Sequence, residues 1–112
     1  MTVDSPAPPE LRLALAAPDV EAPLSAAALL ADRNRAAILE ILREGPHCVC
    51  ELTAALGERS NNVSNHLARL RESGLVRAAR PAGDGRFVYY ERDEAACTAA
   101  LAQLATLLEP TR

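Results

Sequence analysis

The chain has 112 residues, which predicts a single domain with a modest hydrophobic core. Apolar residues make up 49% of it, three residues are cysteine and none is tryptophan. No apolar run approaches the roughly 20 residues of a membrane span, and the first residues lack the pattern of a signal peptide. We therefore expect a cytoplasmic protein with reduced thiols and no membrane partner.

The net charge of −3 is distributed unevenly along the chain. Residues 1–58 carry nine acids and four basic side chains, and residues 93–112 carry three acids and one basic side chain. Residues 59–92, by contrast, carry seven arginines and three acids. Local charge decides what a surface attracts, so this segment predicts contact with nucleic-acid phosphates.

The chain opens with a segment that we expect to be flexible. Residues 1–10 contain three prolines and little apolar content, and a short helix is predicted at 11–17, ended by Pro18. We assign residues 1–23 to this flexible N-terminal segment and residues 24–109 to one folded domain.

The first half of the folded domain is predicted to be helical. Helices are expected at 25–31 and 33–43, and Gly45-Pro46 ends the second one. A shorter helix is expected at 50–56, followed by a tight turn at 57–59. Two short helices joined by a glycine-containing turn are typical of a helix-turn-helix.

Residues 60–73 predict a helix with two different faces. Three apolar residues from Val63 to Leu70 recur at i, i+4 and i+7 and should face the core. Ser60 is the expected N-cap, and Gly74 is expected to end the helix. The opposite face carries short hydrogen-bonding groups and an arginine, the types that read base edges and phosphates in a major groove. The candidate DNA-contacting residues on this helix are Ser60, Asn61, Asn62, Ser64, Asn65, His66 and Arg69.

After Gly74 the apolar spacing changes from helical to alternating. Strands are predicted at 75–80 and 86–90, with turn residues at 81–85 between them. A hairpin that follows a helix-turn-helix is a wing, and Arg86 near its tip is a further candidate DNA contact.

A last helix is predicted at 94–108, with Asp93 as its N-cap. Its apolar stripe is Cys97, Leu101, Leu104 and Leu108. A terminal helix this apolar in so small a domain predicts a dimer interface. The expected fold is therefore mainly α with a small β-hairpin, a winged helix-turn-helix that forms a homodimer through its terminal helices.

Cys48-Val49-Cys50 is the second informative motif. Thiolates select soft or borderline ions such as As(III), Cd(II), Pb(II), Hg(II) and Zn(II). Residues i and i+2 of a helix point about 200° apart, so we expect ion binding to open the first helical turn. The helix N-terminus should also favour the thiolate form.

Two further residues have alternative readings as ligands. Cys97 is either a third ligand of the ion bound by Cys48 and Cys50, or a small buried residue of the dimer interface. His47 is either an additional nitrogen ligand or a solvated loop residue.

These motifs together resemble the ArsR/SmtB family of winged-helix metal-sensing repressors over about residues 25–108. The resemblance implies a homodimer that binds double-stranded operator DNA in the apo form and releases it when an inducer binds. It also implies that Cys-x-Cys lies at a site for arsenic, cadmium or lead. One version of that site has a third Cys where this chain has Thr53, and the family's Asp and His site on the last helix is missing here. The resemblance is carried by residues 30–35, 48–52, Ser60, 63–67, Leu70, 74–76 and 85–90.

The favoured function is a metal(loid)-responsive transcriptional repressor without a permanent cofactor, induced by As(III). The alternatives are the same repressor sensing Cd(II), Pb(II), Hg(II) or Zn(II), or a repressor that senses thiol oxidation. An enzyme is not expected, because the chain lacks a Cys-x-x-Cys on a βαβ unit and a phosphate-binding glycine loop.

Overall fold

The structure is a computed structural model that describes residues 17–79, 85 and 87–110. It is mainly helical with one small antiparallel sheet, which confirms the predicted fold class. No helix in the described ranges is long and apolar enough to cross a membrane. The elements are α1 (Glu21–Leu30), α2 (Arg33–Ile41) with a 3₁₀ turn (Leu42–Glu44), β1 (His47–Cys48), α3 (Val49–Leu56), α4 (Ser60–Glu72), β2 (Val76–Ala79), β3 (Tyr89–Arg92) and α5 (Glu94–Leu108).

Five predictions fall wholly or partly outside the described ranges. They are the flexible N-terminal segment with its helix at 11–17, the end of the strand at 75–80, the turn at 81–85, the start of the strand at 86–90 and the candidate DNA contact Arg86. The division of the chain into 1–23 and 24–109 stays a prediction. Helix α1 itself begins at Glu21, four residues before the predicted start, because a proline in the first turn of a helix has no intrahelical N–H partner to lose.

The hydrophobic core lies where α2, α3, α4 and β2 meet. The three residues predicted to face inward from α4, Val63, Leu67 and Leu70, are all buried. They hold α4 against α3, so the helix-turn-helix is one packed unit whose polar face is left outside. The core comprises Ile38, Leu42, Leu52, Val63, Leu67, Leu70, Leu75 and Val76.

The start and end of α4 follow from backbone conformation. Gly74, just after the C-cap, has a φ of 86°, so the predicted glycine stop is confirmed. The prediction that Ser60 is the N-cap is wrong: Arg59 holds that position with extended backbone, and its side chain makes no capping hydrogen bond. Ser60 is instead the first helical residue, because the turn after Gly57 delivers the chain into helical geometry one residue earlier than expected.

The sheet joins the thiol segment to the wing. Its strand order is β1-β3-β2, with β3 antiparallel to both neighbours. In the first pair, Cys48 lies opposite Tyr89. The two-residue β1 was not predicted, because so short a strand has no periodicity of its own and exists only through its pairing.

Candidate metal centre and nucleic-acid interface

Cys48 and Cys50 lie at the junction of β1 and α3. Cys48 is the N-cap of α3 with extended backbone (φ −90°, ψ 168°), and it closes a capping box with Glu51, whose carboxylate accepts the Cys48 N–H at 3.0 Å. Cys50 is therefore in the helix, whereas Cys48 is outside it. The helical argument that the two sulfurs must point apart therefore does not apply, because Cys48 is extended and lies outside the helix.

The environment of the two thiols is asymmetric. Cys48 is buried and Cys50 is exposed. The hydrogen bond with Cys48 raises the pKa of Cys50, and desolvation and the negative charges of Cys48 and Glu51 raise it further. The expectation that the helix N-terminus favours the thiolate is therefore wrong for Cys50: its neighbours outweigh the helix dipole.

The neighbouring His47 is held by the loop that precedes the thiols. Its Nδ1 lies 2.8 Å from the carbonyl oxygen of Gly45, so Nδ1 carries the proton and donates it. That bond leaves Nε2 as the nitrogen with a free lone pair, in a half-buried ring.

The third predicted ligand, Cys97, lies elsewhere in the protomer. It is half-buried on α5 and lines a cleft with Leu39 and Leu101, separate from the cleft beside Cys48 and Cys50. Among the described residues, no group of three or more His, Cys, Asp or Glu side chains is placed to hold a metal ion. A contribution from Cys97 would have to come from a second copy of the chain, and its role as a ligand stays a prediction.

The polar face of α4 is presented to solvent. Ser60, Asn61, Ser64, Asn65 and Arg69 are exposed. Asn62 is also exposed, but its side chain donates to the Glu58 carboxylate at 3.1 Å. This face has the donors and acceptors that groove recognition requires.

His66 differs from the other candidates on α4. Arg35 NH1 lies 3.3 Å from His66 Nδ1, and His66 Nε2 lies 3.7 Å from Asp32. Because guanidinium only donates, Nδ1 must accept and Nε2 must carry the proton. Arg35 also donates to the carbonyl oxygens of Leu29 and Ala28 at 2.6 and 3.2 Å. His66 therefore ties α4 to the α1–α2 corner.

Asp32 belongs to the same network as His66 and Arg35. Its carboxylate caps α2 by accepting the N–H groups of Asn34 and Arg35 at 2.8 and 3.1 Å. The backbone hydrogen bond from Arg35 is the main reason that the pKa of Asp32 is lowered. In the sequence, Asp32 and Arg35 contributed only to the family resemblance and were not predicted to contact His66. Their contact with His66 spans more than thirty residues, and no local pattern encodes it.

The arginines of residues 59–92 are not equally available to phosphate. Arg77 pairs with Glu91 at 2.8 Å and with Asp93 at 3.0 Å. Arg71 lies over the ring of Tyr90, 5.7 Å from its centroid. Within the described ranges the ion pairs engage Arg77 but not Arg69, which leaves Arg69 as an exposed cation on α4.

Comparison with known proteins gives one consistent family. The sequence model described as "Bacterial regulatory protein, arsR family" matches residues 32–78. The arsenic resistance transcriptional regulator ArsR1 of Pseudomonas putida is 50% identical over 62 residues, which are 54% of this chain and 46% of that protein. The arsenical resistance operon repressor of Escherichia coli is 41% identical over 69 residues, 61% of this chain and 56% of that protein. The chain spans about half the length of these curated relatives.

Solved structures show the same fold. A crystal structure described as a possible transcriptional regulator for arsenical resistance aligns with a TM-score of 0.61 at 32% identity. The alignment covers 76% of this chain and 81% of that chain. Together with the helix-turn-helix and the small antiparallel sheet, this similarity identifies the fold as a winged helix-turn-helix.

Proposed function

Because this chain belongs to the arsR family of bacterial regulatory proteins, we propose that it is a metal(loid)-responsive transcriptional repressor. As a homodimer it binds double-stranded operator DNA when its thiols are empty. It leaves the DNA when a thiophilic ion, with As(III) favoured, binds Cys48 and Cys50. The observation that carries this proposal is that Cys48 and Cys50 line one cleft at the start of the first helix of the helix-turn-helix.

The position of the thiols supports a coupling between inducer and DNA. Cys50 lies on α3, which packs against α4 through the buried Leu52. Cys48 lies on β1, which pairs with the wing strand β3. A ligand held by both sulfurs therefore acts on the junction of the two elements that would contact DNA. Because Cys48 already lies outside the helix, no helical turn has to open.

The donor set supports As(III) over the other ions. Arsenic(III) forms three bonds, whereas structural Zn(II) sites have four ligands, and the described residues offer two adjacent thiols with no third donor beside them. Both thiols must lose their protons on binding. With neutral arsenous acid these protons leave as water, whereas a divalent ion such as Cd(II) releases them to solvent, so only divalent-ion affinity should fall steeply as the pH is lowered.

A second candidate keeps the repressor and makes its switch oxidative. The placement of both thiols on one cleft, which supports ion binding, also makes oxidation of the pair a candidate switch. Anaerobic work separates the two candidates, because an ion acts without an oxidant.

The exposed apolar surface of α5 supports a homodimer. Leu101 is 67% exposed and Leu108 is 75% exposed, although both belong to the predicted stripe. Covering this stripe with the same helix of a second copy would bury it by two-fold symmetry. Two recognition helices would then address two half-sites of the operator.

The test is release from DNA under anaerobic conditions. Reduced protein is bound to double-stranded DNA selected by affinity from a random-sequence pool, and sodium arsenite is titrated in. We expect release by arsenite, and we expect Cys48→Ser to bind the same DNA without being released. Cys97→Ser is the matched control, which on a two-thiol site is released as the wild type is.

Two results would contradict the proposal. If Cys48→Ser no longer binds the selected DNA, the thiol is required for DNA binding itself, which contradicts a role confined to release. If arsenite releases the variant as well as the wild type, the ion acts at another place.

A further inference from the structure

A cleft lies directly beside the two thiols and is larger than an ion needs. Its volume is about 590 Å³, within the range of roughly 300–1,000 Å³ that small-molecule sites span. Besides Cys48 and Cys50, its walls include Ala54 of α3 and the side chains of Phe87 and Val88. Most of the lining is apolar, so the cleft suits an organic group.

Within the part of the chain that the structure describes, no third soft ligand lies beside the two thiols to complete the bonds of an arsenic(III) atom. Thr53, one helical turn after Cys50, lines the same cleft, but a hydroxyl is a poor ligand for a soft ion. Its buried oxygen has no hydrogen-bond partner. Cys97 lines a different cleft. The third substituent on arsenic must then come with the ligand, and the surface beside it is apolar.

We infer that the thiol site takes a monosubstituted arsenic(III) compound, whose organic substituent packs in the cleft against Phe87 and Val88. This inference rests on the proposed function and names its inducer class. Phe87 is 45% exposed and Val88 is 56% exposed, so both have apolar surface left to cover.

The binding step is an exchange of ligands on arsenic without a change of oxidation state. In R–As(OH)₂ two As–O bonds break, and the two thiols lose their S–H protons. Two As–S bonds form to Cys48 and Cys50, and two molecules of water leave. The As–C bond to the substituent stays intact throughout.

The cleft also touches the recognition helix. Ser60, the first residue of α4, lines the same cleft as the two thiols. A substituent bound there contacts the helix-turn-helix at Ser60. It also contacts Phe87 and Val88, which directly precede the wing strand β3. An organic arsenical should therefore release DNA at a lower concentration than arsenite does.

The test compares three ligands on the reduced full chain by anaerobic calorimetric titration. Phenylarsine oxide and methylarsonous acid form the same two As–S bonds and differ in the substituent, and sodium arsenite has no substituent. We expect the phenyl compound to bind about tenfold more tightly than the methyl compound, from the extra apolar surface that the ring covers. Arsenite should bind most weakly.

Two substitutions sharpen the comparison. In Phe87→Ala the phenyl advantage over methyl should fall to within twofold, while arsenite affinity stays unchanged. In Thr53→Cys a third sulfur is added one helical turn from Cys50, so arsenite affinity should rise relative to both organic ligands.

The outcomes distinguish this inference from the proposed function. Equal affinity for phenyl and methyl compounds, unchanged by Phe87→Ala, would overturn the cleft while leaving arsenite release intact. A loss of phenylarsine oxide binding in Cys97→Ser as large as in Cys48→Ser would mean that a protein thiol fills the third bond, and would also overturn it. Failure of all three ligands to release DNA would remove the proposed function itself.

Discussion

The helix-turn-helix and the terminal helices bury their apolar residues to very different extents. In α4, Val63, Leu67 and Leu70 are buried, and that helix needs only its neighbours α2 and α3 to be covered. In α1 and α5 no residue is buried, although most of α5 is apolar. The helix-turn-helix is covered within one chain, whereas the terminal helices leave apolar surface exposed.

The largest effect is expected in the covered half. Leu70 is fully buried, so Leu70→Ala leaves a cavity and should lower the free energy of unfolding by about 2–5 kcal/mol. Urea denaturation measures this change. The exposed neighbour Arg69→Ala is the control and should stay within about 0.5 kcal/mol of the wild type. Similar losses in both variants would mean that α4 is not packed as described.

The next effect concerns the uncovered half. Leu101→Arg should weaken self-association by at least about a hundredfold, since each of two symmetric copies loses an apolar contact worth roughly 1.5–3 kcal/mol. Sedimentation equilibrium measures the dimer, and DNA affinity should fall with it. Ala102→Arg, about 100° further round the helix, is the matched control and should dimerise normally. A monomeric wild type at micromolar concentration would contradict the comparison.

A smaller effect is expected where the two halves join. Asp93 caps α5 by accepting the Ala96 N–H at 2.9 Å, and it pairs with Arg77 on β2 at 3.0 Å. The Ala96 hydrogen bond is the main reason that the pKa of Asp93 is lowered, with the charge of Arg77 contributing. A lowered folded-state pKa gives stability that is present above the unfolded value of about 3.9 and is lost as the pH falls through the folded value.

We therefore expect Asp93→Ala to lower the thermal midpoint by roughly 4–8 °C at pH 7, and by less at pH 3. Asp93→Asn keeps an acceptor for the cap and removes the charge, so its thermal midpoint at pH 7 should lie between those of the wild type and Asp93→Ala. Thermal unfolding followed by circular dichroism measures all three proteins. An equal shift at both pH values would show that charge makes no contribution.

Local patterns were sufficient for most of the elements. The helical spacing from Val63 to Leu70 predicted the buried face of α4, Gly74 predicted its end, and Asp93 predicted the start of α5. Each of these signals acts within a few residues of the chain, where backbone geometry and side-chain spacing are decided. The prediction of Ser60 as the N-cap was wrong because the start of α4 depends on the conformation of the preceding turn, which places extended backbone at Arg59.

The site was predicted in its parts but not in its arrangement. The sequence marked Cys48 and Cys50 as a thiophilic pair, yet helical periodicity placed their sulfurs on opposite sides. That argument failed because β1 pairs with β3, which holds Cys48 extended and outside the helix. The contact of His66 with Arg35 and Asp32 could not be predicted either, because it joins residues from separate helices.

The amino-acid sequence by itself determined the helices, the polar face of α4, the presence of two neighbouring thiols and the family resemblance. Only the tertiary structure decided that Cys48 lies outside the helix, that Cys97 lines a different cleft and that a cleft walled by Phe87 and Val88 lies beside the pair. The physical reason is the separation along the chain over which each kind of interaction acts. Spacing and capping act between residues a few positions apart, whereas a binding site is formed by strand pairing and helix packing between residues that are distant in the chain.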